Sequence, residues 1–387
     1  MPKVSQAQID SIKQKNKKGR QVYQFAYSFD VNIDLKTKST VDTLNIGVLY
    51  RYEIESSDAY SINVIFSEYE VPRGAKLFLY NEGESHIIGA FTSGNNKPSK
   101  VLPTVPVKGD KIIVEYFEPL YPEFEGTIKI GKIGHDFLNF YNLNQNFGSS
   151  GNCNIDINCP NGNAWQNEKR AVCKIIIDGS GLCSGSLINN TSEDGSPYFL
   201  TAEHCISSQN AAENSVFIFN YESPTCNGSN GSQNQLISGA NLRANDGITD
   251  FTLLELSKLP LSTYNPFYAG WDRSTNPPQN GSGIHHPSGD VKKISVFNNQ
   301  AEAYLAQFDC NAPFDMETWR LQFESGVTEG GSSGSPIFNQ NRHIVGQLFG
   351  TTCENFINCN NEDGDAVYGR FDISWNGNGT NDTRLRN

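Results

Sequence analysis

Three side chains in this sequence have the chemistry of acyl transfer to water. Ser333 lies within Gly330-Gly331-Ser332-Ser333-Gly334-Ser335-Pro336, far downstream of Thr201-Ala202-Glu203-His204-Cys205. Between them stands Asp250, at the head of Phe251-Thr252-Leu253-Leu254-Glu255-Leu256. A serine hydroxyl is a weak nucleophile at neutral pH. It needs an imidazole to take its proton and a carboxylate to fix that imidazole's tautomer. The local contexts say more than the residue types. Tyr198 to Ala202 reads as an apolar strand that delivers His204 to a loop. A carboxylate heading an apolar strand is placed for partial burial, and a buried Asp needs a partner such as an imidazole N–H. Asp246, in the turn Asn245-Asp246-Gly247, is the alternative carboxylate. Gly331 and Gly334 let the chain around Ser333 turn tightly enough to aim the amides of Gly331 and Ser333 at one point, an oxyanion hole. An α/β esterase built on the same groups needs Gly-x-Ser-x-Gly after a strand, with its His last in the chain. Here the His comes first.

The elements that position these residues read as all-β. The chain has 387 residues, which predicts two or three domains. Residues 1–21, with Lys3, Lys13, Lys15, Lys17, Lys18 and Arg20, read as a basic arm, mobile or weakly helical. Residues 22–138 carry seven short strand-like runs separated by turn signals such as Pro72-Arg73-Gly74 and Lys108-Gly109-Asp110. That spacing predicts a β-sandwich, a prodomain or accessory domain. The polar stretch 139–150 has the composition of a linker. Residues 151–375 form a second β domain holding all three site residues, with a helix only near its end, and 376–387 read as a flexible tail.

The net charge of −12 argues against nucleic acid or an anionic membrane as the main partner. It suits polypeptide substrates, a cationic one included. No apolar run is long enough for membrane insertion, and the N-terminus has no apolar signal-peptide core. All nine cysteines fall between Cys153 and Cys359. That asymmetry predicts disulfides and an oxidising compartment, hence a secreted or extracellular protein. A bridge from Cys183 to Cys205 would close a loop of roughly 20 residues, worth about 3 kcal/mol on the chain-entropy model, and would fix the backbone beside His204. His285 and His286 are adjacent on a strand and point to opposite faces, so they read as structural. With no HExxH or CxxC pattern, neither metal nor cofactor is expected. A monomer is expected.

From about Gly148 onward the chain resembles bacterial lysyl endopeptidases, a branch of the chymotrypsin-like serine peptidases. The strings that carry the resemblance include Cys153-Asn154-Ile155-Asp156-Ile157-Asn158-Cys159-Pro160, Tyr198 to Cys205, Asp250 to Leu256, Ile284-His285-His286-Pro287, Gly326 to Pro336 and Tyr368-Gly369-Arg370. The resemblance implies a chymotrypsin-like double β-barrel, extracellular cleavage after lysine with arginine as the alternative, and a triad of His204, Asp250 and Ser333; the alternative reading is a catalytically silent peptidase homologue that serves as scaffold for an N-terminal β-sandwich binding module. It also implies walls of a substrate cleft at Gln347, Leu348, Phe349 and Gly350. By the same resemblance Cys183 pairs with Cys205, Cys159 with Cys226, and Cys153 with either Cys353 or Cys359. Cys173 and Cys310 are extra, and an odd total leaves at least one thiol free or intermolecular. The family's Trp–His stack is absent or changed, because its His aligns near Phe349 and its Trp near Gln307 or Phe308. The lysine-binding Asp falls on Asp365, one residue further from Tyr368 than the family places it, with Glu362 and Asp363 as alternatives. Ser332 stands where trypsin-like enzymes have an Asp that pairs with a newly cut N-terminus. Activation here is therefore expected not to depend on such an amine.

Overall fold

A computed structural model describes residues 1–16, 21–141, 150–229, 231–307, 310 and 315–386. Two five-stranded antiparallel sheets make the N-terminal sandwich. One runs Thr40–Leu44, Gly47–Glu55, Lys111–Pro119, Lys76–Asn81, Ile87–Phe91 in spatial order. The other runs Ala26–Asp34, Thr127–Asp136, Ser61–Glu70, Leu102–Pro103, with Val107–Lys108 also on Ser61–Glu70. Alternation along Lys111–Pro119 shows the cause: Ile112, Val114 and Tyr116 are fully buried between the sheets, while the residues between them are not. Strand Thr40–Leu44, which the sequence reading omits, is exposed at all five positions, so it has no apolar face to read.

The second domain holds two eight-stranded antiparallel sheets, where the double barrel was expected. The first orders Leu236–Ser238, Val216–Phe219, Val172–Ile177, Gly181–Leu187, Tyr198–Ala202, Phe251–Leu256 and Ala240–Asp246. Its eighth strand is Tyr23–Gln24, from the other end of the chain. The second orders Ile155–Asp156, Lys293–Phe297, Gly281–His285, Pro336–Asn339, Ile344–Thr351, Ala366–Arg370, Asp315–Leu321 and Glu302–Gln307. One apolar core joins the two sheets, with Leu200, Phe217 and Phe251 from the first and Ile284, Phe338 and Ile344 from the second.

The sandwich is packed on the first sheet. Phe25, Val105 and Phe140 share a buried cluster with Ile176, Leu182, Val216 and Ile218. Around it Lys132 Nζ meets Asp178 at 2.5 Å and Lys97 Nζ donates to the Ser238 carbonyl at 3.0 Å. The ends of the chain are more ordered than composition suggests. The basic arm forms a helix, Gln6–Asn16. The expected flexible tail folds back after helix Phe371–Asn376. Leu385 is buried in the core, its N–H bonded to the Ser374 carbonyl at 3.0 Å, and the Asn245 N–H bonds the Asp382 carbonyl. One apolar residue among eleven polar or small neighbours supplies that anchor, too little to register as periodicity. The linker's residues 142–149 lie outside the described residues.

Four disulfides form: Cys153–Cys359, Cys159–Cys226, Cys183–Cys205 and Cys310–Cys353. The open choice for Cys153 resolves to Cys359, and Cys310, read as extra, takes Cys353. Cys173 is free and wholly buried. Burial raises its pKa, against a smaller opposing pull from Lys292, and so keeps the thiol neutral and unreactive. Thiol titration is therefore expected to find no reactive group in the native protein and one per chain after denaturation without reductant. Two or more would contradict the pairing.

Candidate active site

Asp250 is gripped from two directions by one residue. The backbone N–H of His204 donates to Oδ1 at 2.8 Å, and ring Nδ1 meets Oδ2 at 2.7 Å. The His204 side chain is 4% exposed and that of Asp250 1%. The aspartate sits at φ 55°, a left-handed conformation that Asp tolerates better than most residues. Neighbouring groups hold the loop there. Gln347 Nε2 donates to the Thr249 carbonyl at 2.7 Å, and Thr249 Oγ1 meets Ser374 Oγ at 2.7 Å. Gly369 makes this approach possible, since a Cβ at that position would lie 1.7 Å from the Thr249 oxygen. Asp246 does not compete: its carboxylate accepts from the Ile248 N–H at 2.8 Å and from Asn378 Nδ2 at 2.6 Å.

Burial of the His204 ring pushes its pKa down. The charge and hydrogen bond of Asp250, helped by Glu203, outweigh that, and the net direction is up from 6.5. The ring of Phe349 stands edge-on to the imidazole, centroids 5.8 Å apart and planes at 88°. Gln307 ends the strand Glu302–Gln307, and Phe308 lies outside the described residues.

Ser333 is set by three backbone contacts. The Ser184 N–H donates to the Ser333 carbonyl at 2.8 Å, the Gly334 N–H to the Leu348 carbonyl at 2.7 Å, and the Ser335 N–H to the Ser332 carbonyl at 3.0 Å. Gly334, at φ 79°, presses against Thr201 and Ala202; a Cβ there would sit 2.2 Å from Thr201 Oγ1. The residue after Ser333 thus touches the strand end that leads to His204, and the Cys183–Cys205 bridge ties the same two strands together. Gly331 has φ 92°, and its carbonyl accepts from Ser184 Oγ at 3.0 Å. Among the described residues, neither the Gly331 nor the Ser333 amide donates to a backbone carbonyl or a side chain. Backbone N–H groups without a partner among the described residues are the kind of donor an oxyanion accepts from.

The sequence reading takes His285 as merely structural, but it has a specific place. Ser332 is fully buried, and its Oγ lies 2.8 Å from His285 Nδ1. His285 Nε2 lies 3.1 Å from Ser295 Oγ, which itself donates to the Val327 carbonyl. Ser295 has one proton to give, so Nε2–H donates to it and Nδ1 accepts from Ser332. Burial, and then the charge of Lys293, push the His285 pKa down to about 3, so the ring is neutral. The position that would need an ion pair in trypsin-like enzymes is held by a neutral relay. The signal was the adjacent pair His285-His286: His286 points the other way and bonds the Asp290 carbonyl through Nδ1 at 2.9 Å.

The expected specificity residues divide. Phe349 and Gly350 lie where Ile344–Thr351 has lost Pro336–Asn339 from one edge and keeps only Ala366–Arg370 on the other. Leu348 is buried in the core with Val327, Ala366 and Tyr368. Gln347 supports Thr249 instead of facing a ligand. Asp365 is not at the base of a buried pocket. Its carboxylate accepts from Gln322 Nε2 at 3.0 Å and Thr352 Oγ1 at 3.2 Å, in a surface depression shared with Glu302 and Arg320. Pleat alternation explains this: Ala366 and Tyr368 face the core cluster, so Asp365 faces away from it. Glu362 and Asp363 are exposed. Cys183, His204 and Cys205 are close enough to suggest a metal cluster, but both sulfurs are in the disulfide.

Residues 147–369 match the family model for the lysyl endopeptidase C-terminal domain. A lysyl endopeptidase of Pseudomonas aeruginosa is 30% identical over 327 residues, covering 79% of this chain and 68% of that protein. Solved structures with similarity include the active form of a Mycobacterium tuberculosis protease, Rv3671c, at 14% identity and TM-score 0.37, covering 52% of this chain and 76% of that one. An HtrA-type protease with a tripeptide has 15% identity and TM-score 0.37, covering 54% of this chain and 58% of that one. The extent of the family match and the identity to a curated relative place this chain in the lysyl endopeptidase family, as a serine peptidase.

Proposed function

We propose that the chain is an endopeptidase in which Ser333 attacks the scissile carbonyl and forms an acyl-enzyme. His204 takes the serine proton and passes it to the leaving amine, Asp250 holds the imidazole in the correct tautomer, and the amides of Gly331 and Ser333 receive the oxyanion. The observation that carries this reading is the two-point grip of a buried Asp250 on His204, beside a turn whose two amides are unpaired. Each such amide typically contributes about 3 kcal/mol in the transition state. We place the enzyme outside the cell on the strength of its four disulfides. Residues 1–147 are proposed as a propiece. Cleavage after lysine rests on family membership, since Asp365 already has partners.

A fluorophosphonate probe is expected to label Ser333, and Ser333→Ala is expected to lose both labelling and peptide hydrolysis. An unlabelled, inactive parent chain would overturn the proposal. Neutral His204 is the working base, so kcat/KM is expected to rise with pH through a midpoint above 6.5, and Asp250→Asn to lower that midpoint along with the rate. The stability arising from the same raised pKa runs the other way. It is fully present below about 6.5 and is lost as pH rises through the folded value. Asp365→Asn is expected to change kcat/KM on lysyl substrates less than threefold; a hundredfold loss would mean that the carboxylate leaves Gln322 and Thr352 to meet the substrate.

A further inference from the structure

A cavity in the peptidase domain lies among residues that belong neither to the triad nor to the turn carrying Ser333. Side chains directly opposite one another on paired strands share a face, as do alternate residues along one strand. Tyr198 pairs with Glu255 and Leu200 with Leu253, so Tyr198, Leu253 and Glu255 point the same way. The end of the chain folds over that face. The Leu385 N–H bonds the Ser374 carbonyl at 3.0 Å and the Arg386 N–H the Trp375 carbonyl at 3.3 Å, which ties both residues to helix Phe371–Asn376. Between this helix, residues 385–386 and the loop 188–191, a space of about 620 Å³ remains. That is the size of a site for a small organic molecule.

The lining divides sharply by chemistry. Ile188, Leu253, Phe371 and Leu385 are buried and make an apolar floor. Trp271, Trp375 and Tyr198 are half-buried and make ring walls. The two indoles are fixed against each other. Trp271 stacks on Phe371 with centroids 5.5 Å apart, meets Trp375 at 4.7 Å, and donates its Nε1–H to the Asn189 carbonyl at 2.9 Å. The polar groups at the mouth are largely in use. Asn190 Nδ2 donates to Asp194 at 2.9 Å, and its Oδ1 accepts from the Ser192 N–H at 3.1 Å. Asn189 Oδ1 accepts from the Asn190 N–H at 3.0 Å. Arg243, at a bulge in strand Ala240–Asp246 that re-aims its side chain, donates Nε–H to Glu255 at 2.7 Å. Arg386 differs. It is exposed at the mouth, and among the described residues its guanidinium has no hydrogen bond or ion pair. A second cation, Arg273, lies over the Trp375 ring, 5.1 Å from its centre.

These features select a ligand. A sugar asks for several converging donors and acceptors, and those at this mouth are engaged with one another. What the cavity offers instead is aromatic surface and one unengaged guanidinium. On a chain of net charge −12, two arginines without a carboxylate partner beside an apolar floor are complementary to an anion. A guanidinium matches a carboxylate in two parallel hydrogen bonds, and a few placed polar groups in an apolar pocket are what fix a ligand's orientation. We propose that this cavity binds a small aromatic carboxylate, with its ring against the wall of Trp271 and Trp375 and its carboxylate on Arg386. The apolar walls supply affinity by burial, and the guanidinium selects the charge. The inference does not depend on the peptidase reading.

Calorimetric titration of the full chain with 4-phenylbutanoate tests this, beside two relatives of the probe. The amide, 4-phenylbutanamide, keeps the shape without the charge, and hexanoate keeps the charge without the ring. One equivalent of 4-phenylbutanoate is expected to bind, about tenfold more tightly than either relative. Arg386→Ala, at an exposed position that folding does not need, is expected to lower the affinity for the carboxylate about tenfold and to leave that for the amide within about twofold. Trp375→Leu, checked for an unchanged circular dichroism spectrum, is expected to weaken both aromatic probes. The rate at which a fluorophosphonate labels Ser333 is expected to be the same with and without saturating 4-phenylbutanoate. No binding, equal affinity for the carboxylate and its amide, or an Arg386→Ala chain that binds as the parent does, overturns the inference. Hexanoate bound as tightly as 4-phenylbutanoate overturns the aromatic assignment. Labelling that slows in step with binding places the probe at Ser333 and overturns it as well.

Discussion

The site depends on burying one carboxylate. Asp250 is removed from water, and an isolated carboxylate there would be prohibitively costly unless paired. Two donors from His204 supply the pairing, and the rest of the geometry follows from keeping it. The left-handed turn at Asp250 lets one residue present both its backbone oxygen to Glu203 and its side chain to His204. The Thr249 carbonyl, pushed inward by that turn, needs its own donor, which is the Gln347 amide. Gly369 is glycine because the same oxygen fills the space a side chain would occupy. Gln347, which by resemblance should face substrate, is thereby committed to the carboxylate's support.

A second consequence concerns charge beside Ser333. Ser332, His285, Ser295 and the Val327 carbonyl form a chain of neutral hydrogen bonds ending on the backbone. A neutral, fully buried relay avoids the desolvation cost that a buried ion pair must overcome. It also requires no group that appears only after a cut elsewhere in the chain. The turn carrying Ser333 is accordingly formed in the whole chain, without such a group.

Much of this was legible in the sequence because local strings carry local geometry. Thr201 to Cys205, the strand headed by Asp250, and the glycines around Ser333 each specify a turn or strand end within a few residues. The seven main strands of the sandwich were legible for the same reason, each being a short apolar run between turn residues. What was not legible depended on distant partners. The choice of Cys359 for Cys153 and of Cys353 for Cys310 is made by folding, since spacing does not encode pairing. Val22 to Phe29 is the first of the seven strand-like runs of residues 22–138, yet it divides at Phe25, which is buried between the domains while Tyr23–Gln24 joins the other sheet. Counting back from Tyr368 points to Asp365, but its carboxylate is taken by Gln322 and Thr352.

The two domains share more than an interface, and Lys174 shows how. It is wholly buried on strand Val172–Ile177, with Nζ donating to the Gly289 carbonyl at 2.7 Å. Its ammonium lies 3.9 Å from the centre of the Phe140 ring and 4.6 Å from that of Tyr221. Burial pulls its pKa down to about 7, against the opposing charges of Asp290 and Asp136. Asp136 ends the last strand of the N-terminal domain and Phe140 follows it; Gly289 belongs to the turn that lies against Gly331, its nitrogen placed 3.1 Å from where a Gly331 Cβ would stand. Losing the residues up to Phe140 therefore removes one wall of an aromatic cage and one compensating carboxylate from a lysine that fastens the turn behind Gly331. The pairing of Tyr23 with Leu182 and the fastening of the turn by Lys174 both lie at the same interdomain contact.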